Sequence, residues 1–80
     1  MSTTYPADLD EQIRTVLKPV LETLEGDPEA RGKTRALLLG VRAGLAERLD
    51  RPDLEVGSIR LFSDYFERGT FFAKKIKLTE

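Results

Sequence analysis

Two stretches of helical periodicity followed by an aromatic, alternating tail predict a small α+β domain. A two-helix hairpin, over about 6–25 and 28–50, is laid on a C-terminal β-hairpin, over about 54–66 and 70–78. Three observations carry this expectation. Apolar residues recur at intervals of three and four through the first fifty positions, Gly26-Asp27-Pro28 divides that run in two, and residues 70–78 alternate and are rich in β-formers. The competing reading is mostly α, with a third helix over 58–68.

The first helix is expected to open at Pro6, since a proline in the first turn loses no hydrogen bond, and Asp8, Asp10 and Glu11 complement the positive end of the helix dipole. Residues 1–5 are small and polar and are expected to be flexible. Leu9, Ile13, Val16, Leu17, Val20, Leu21 and Leu24 form the apolar stripe. Pro19 is discordant, because inside a helix it removes one backbone bond and crowds the preceding turn at a cost of about 3 kcal/mol. A bend at 15–19 is expected, with two short helices as the alternative.

Gly26 can close the first helix in a left-handed conformation, after which Asp27 and Pro28 read as cap and first position of the second. The second helix should bury Ala30, Leu37, Leu38, Val41, Leu45 and Leu49 and turn Arg31, Arg35, Arg42, Glu47 and Arg48 to water, with Gly32 a potential break in its first turn. Gly40 and Gly44 lie four apart in it, each costing about 1 kcal/mol against alanine, so they predict close packing on that face. Helix one is the expected neighbour, and a second copy of helix two the alternative.

Pro52 stops the second helix. Beyond it, five of the chain's six aromatic residues, Phe62, Tyr65, Phe66, Phe71 and Phe72, fall within eleven positions, closely followed by Lys74, Lys75 and Lys77. Read as a hairpin, Glu67, Arg68 and Gly69 make a three-residue loop whose glycine takes positive φ, and both faces carry rings. Read as a helix, Ser58 is its cap and Gly69 its stop.

The whole-chain composition narrows the chemistry. Eighty residues form one domain that buries only roughly 60–65% of the surface of its unfolded chain. With no cysteine and no histidine, there is no disulfide framework, thiolate nucleophile or imidazole base, and no zinc site is expected. Gly32-Lys33-Thr34 resembles the end of a phosphate-cradling loop, but five residues separate it from Gly26 where four are needed, and no strand precedes it. Asp8, Asp10 and Glu11 read as dipole complement on an exposed first turn. Asp50, Asp53 and Glu55 lack the ligand spacing of a calcium loop. No catalytic, cofactor or metal residues are therefore assigned.

Apolar runs are far shorter than the roughly 20 residues that span a bilayer, so a cytoplasmic protein without membrane contact is expected. Charge is uneven: residues 1–30 hold seven acids and two bases, 31–57 four and six, 58–80 three and five. These features predict a non-enzymatic interaction module that forms a homodimer and binds a protein partner through Phe62, Phe66, Phe71, Phe72, Lys75 and Lys77. Nucleic-acid binding through the same rings and lysines is the alternative.

Overall fold

The computed structural model describes residues 8–54, 60 and 62–78. Within them lie three α-helices, α1 (Leu9–Thr23), α2 (Ala30–Arg48) and α3 (Ser63–Ala73), and a short 3-10 turn at Pro52–Leu54. The expected C-terminal β-hairpin is not formed: no strand occurs among the described residues, and the alternative, mostly α, is what the chain adopts. The third helix nevertheless lies later than the expected 58–68, running straight through Gly69. The predicted cap Ser58, Pro6 and residues 1–5 fall outside the described residues.

α1 is continuous through Pro19. Its predicted stripe turns inward, with Leu9, Leu17 and Leu24 fully buried and Ile13, Val16 and Leu21 packed against the same core. Gly26, at φ +86°, makes the turn to α2. α2 starts two residues later than expected, with Glu29 rather than Asp27 in the cap position; Asp27 closes the turn before it, its carbonyl accepting the N–H of Ala30 at 3.0 Å and its Oδ1 the N–H of Glu29 at 2.7 Å. Gly32 does not interrupt α2. That helix ends in a Schellman turn, in which Asp50 N–H donates to the carbonyl of Glu47 and Arg51 N–H to that of Ala46. Asp50 takes φ +51° there, a region in which a side chain is disfavoured. Asp50→Gly is therefore expected to raise stability by about 0.5–1 kcal/mol, read as a higher urea midpoint with unchanged slope.

α2 and α3 run parallel, a register readable from which residues meet. Gly32 faces the ring of Phe62, Gly40 faces Phe66 and Gly69, Gly44 faces Ala73, and Arg48 reaches the carbonyls of Ala73 and Ile76. Positions rise together along both helices. The approach is backbone to backbone: a Cβ added at Gly69 would stand 2.7 Å from the Cα of Gly40 and 2.9 Å from the nitrogen of Val41. The expectation that α1 covers the Gly40/Gly44 face is corrected, since α3 occupies it. α1 instead lies antiparallel to α2, held off by larger side chains. Leu21 and Leu24 stand beside Ala30 and Thr34, while Gln12 and Val16 stand beside Ile76.

The core is one cluster of Leu9, Leu17, Val41, Leu45, Leu49, Ala73 and Ile76. Ile76 lies beyond α3, and Arg48 holds it in place by donating to the carbonyl oxygens of Ala73 and, at 2.9 Å, Ile76. A guanidinium there also suits the negative end of the α3 dipole. The fold is long and thin, 44 × 24 × 15 Å over its Cα atoms. No helix is long and apolar enough to cross a membrane among the described residues.

Candidate interaction surface

The helical state of residues 63–73 redistributes the six residues assigned to an interaction site. The Phe62 ring turns toward α2, where it meets Gly32, and the backbone carbonyl of Phe66 meets Gly40; both residues are only partly accessible. Phe72 packs against the core. Phe71 points outward, with 53% of its surface exposed, and its ring makes an edge-on contact with Phe72 at 5.7 Å between centroids. Lys75 stands over the Phe71 ring at 4.7 Å. Lys77 lines a depression between α1 and the tail together with Lys75, Gln12, Val16 and Ile76. A hairpin would have joined Phe71, Lys75 and Lys77 on one face; here Lys75 stands between the other two, over the Phe71 ring and beside the depression that Lys77 lines.

The outer face of α3 is built by helical spacing. Asp64, Glu67, Arg68, Phe71, Lys74 and Lys75 are all exposed, while Phe66, Gly69 and Ala73 turn inward at intervals of three and four. The two acids, Asp64 and Glu67, lie at the start of that face, and Phe71 lies among the bases, between Arg68 and Lys74. Beside this face Tyr65 is flanked by two cations, Arg68 at 5.2 Å and Lys33 of α2 at 5.5 Å from its ring centre. Such placements are favourable by about 0.5–1 kcal/mol at exposed sites, and they hold the cations near the surface of α3.

Lys33 is itself fixed by Asp27, with Nζ 2.6 Å from Oδ2. This hydrogen bond, helped by the Glu29 N–H, holds the Asp27 carboxyl below its ordinary range. The same bond pushes the Lys33 ammonium up. The lysine of the Gly-Lys-Thr string therefore serves the α1–α2 turn and Tyr65. Arg51 grips Asp53 through two hydrogen bonds, at 2.8 and 2.6 Å, and lowers its pKa. Glu55 lies outside the described residues. Among those described, no three acids gather as metal ligands and no polar or charged residue is buried.

No protein family, curated protein or solved structure matches the chain. Function therefore has to be argued from its surfaces. Besides α3, a second surface that the sequence reading missed stands out on α2. Leu38, expected in the buried stripe, is 42% exposed. It shares the side of α2 turned away from α3 with Arg31, Arg35 and Arg42. The signal was present in the sequence as the spacing four, three, four from Arg31 to Arg42. Leu38 could be separated from the core stripe only once Gly40 was known to face a neighbour.

Proposed function

We propose that this chain is a non-enzymatic helical interaction module that self-associates through the outer face of α3. The single observation that carries the reading is the order of side chains along that face. Asp64, Arg68 and Phe71 of α3 and Lys75 of the turn that follows it are spaced four, three and four apart, the spacing of a helix–helix seam that the turn extends. A two-fold axis that pairs two copies of α3 antiparallel places Asp64 of each opposite Lys75 of the other, and Arg68 of each opposite Phe71 of the other. Every layer then matches a carboxylate with an ammonium or a guanidinium with a ring. A parallel pairing would oppose like charges at the Asp64, Arg68 and Lys75 levels.

Only Phe71 in this seam is a large apolar residue, and α3 offers three turns, so the contact is small. Interfaces of that size are transient, and self-association is expected at roughly 10 µM to 1 mM. The absence of a buried titratable side chain among the described residues supports a binding rather than a catalytic role. The aromatic face without its hairpin no longer offers several coplanar rings, which weakens the nucleic-acid alternative.

Sedimentation velocity over about 10 µM to 1 mM tests the pairing. The wild-type chain should grow heavier with concentration, while Asp64→Lys and Lys75→Glu should each remain monomeric. An equal mixture of the two variants should associate again, because each supplies the charge that the other has lost. A wild type that stays monomeric throughout, variants that associate as it does, or a mixture that stays monomeric would defeat the reading.

A further inference from the structure

The side of α2 opposite α3 and the adjoining flank of α1 form a shallow groove for a partner of definite chemistry. One depression, of about 510 Å³, lies between Arg14 and Lys18 of α1 and the start of α2 at Ala30 and Thr34. A second follows α2 from the same Ala30 and Thr34 past Leu38 to Arg42. The two adjoin, so one surface carries two cations of α1 on one wall and Arg31, Arg35 and Arg42 on the other. Leu21 and Leu38 form apolar ground between them. Arg31 to Arg42 spans about 16 Å of helix. The salt bridges found among the described residues join Lys33 to Asp27 and Arg51 to Asp53, and none engages these five cations.

We infer that this groove binds an acidic amphipathic helix, with leucine-like residues on Leu38 and Leu21 and carboxylates against the arginines. Such a helix has the complementary order, an apolar stripe bordered by acids, and lies along a groove in the established helix-in-groove manner. Arginine favours carboxylates through paired hydrogen bonds. A nucleic-acid strand has the right charge but suits the surface less well. No aromatic ring lines either depression to stack a base, and Leu38 and Leu21 give a phosphate nothing. This inference goes beyond self-association and does not depend on it, since the groove and the outer face of α3 lie on different sides of the molecule.

The test uses a fluorescein-labelled peptide of about 18 residues, five helical turns, with leucine on one face and glutamate on the other. A scrambled peptide of the same composition and a single-stranded oligonucleotide serve as comparators, in the presence of the full chain at about 50 mM salt. Anisotropy should rise saturably for the amphipathic peptide, with a Kd of roughly 10–100 µM, and fall back as salt is raised. Arg35→Glu/Arg42→Glu should weaken binding at least about tenfold, or 1.4 kcal/mol, and Leu38→Ala by several fold. All three positions are exposed, and circular dichroism checks that the variants remain folded. Glu47→Gln, exposed near the end of α2 and outside both depressions, should bind as the wild type does. No saturation up to about 1 mM, binding untouched by the double arginine variant, retention of full affinity by Leu38→Ala, or preference for the oligonucleotide would each overturn the inference.

Discussion

Gly40→Ala is expected to cost the domain about 3 kcal/mol, at the upper end of what overpacking costs. A domain of this length has roughly 4–12 kcal/mol in total. A Cβ at Gly40 would run into the carbonyl oxygen of Phe66 and lie 2.9 Å from the Cα of Gly69. Both are backbone atoms, and no rotamer change relieves the clash. α2 and α3 would have to separate, and the contacts of Ala36, Leu37 and Ala73 around the crossing would loosen with them. The better helix propensity of alanine offsets only about 1 kcal/mol of this. Gly69→Ala meets the same obstacle from the other side, so the double variant should cost clearly less than the sum, one separation accommodating both methyl groups. Gly32→Ala is the control. Its new Cβ would meet only the far edge of the Phe62 ring, at 2.7 Å, which can swing aside, so the change should be neutral or slightly stabilising. Urea unfolding followed by far-ultraviolet circular dichroism gives all four values. Equal stability of the Gly40 and Gly32 variants would show that the close crossing is wrong.

The second large effect should come from Arg48→Met, which keeps much of the aliphatic stem but removes the donors. The carbonyls of Ala73 and Ile76 would lose a charged partner worth about 1.5–3 kcal/mol, and the α3 C-terminus a cation worth about 0.3–1 kcal/mol. Together these give an expected loss of about 2–4 kcal/mol. The consequence should be local as well as global. Ile76 is 1% exposed although it follows the helix, and Arg48 holds the turn that delivers it. Amide exchange over 74–78 should therefore rise more than over α1. Lys would restore the charge but not the two-carbonyl grip, so Arg48→Lys should recover only part of the loss. An Arg48→Met chain with unchanged midpoint and unchanged exchange would remove this role.

The tail shows why pattern alone misled. Residues 70–78 alternate well enough to pass for a strand, and β-propensity measures fit to a half-buried pleated surface more than any backbone demand. The same residues also carry a helical stripe, Phe62, Phe66, Gly69, Ala73 and Ile76, at intervals of four, three, four and three. Gly69 hides that stripe, because a glycine before Thr70 also reads as a loop residue. A glycine ends a helix when its freedom at positive φ is used; here its missing side chain is used instead, to admit Gly40. Leu38 was misassigned for a related reason. The direction of the buried face of α2 follows from where α3 lies.

The amino-acid sequence by itself determined the two N-terminal helices, the turn at Gly26–Asp27 and the close packing implied by Gly40 and Gly44, because apolar period, capping and glycine cost are local properties. Tertiary structure alone decided which element fills the Gly40 face, that residues 63–73 are helical, and that Arg31, Arg35, Leu38 and Arg42 form one exposed strip. Each of these depends on a contact between distant parts of the chain. The free energy of two backbones meeting without side chains between them outweighs the weak local preference of nine residues for an extended form.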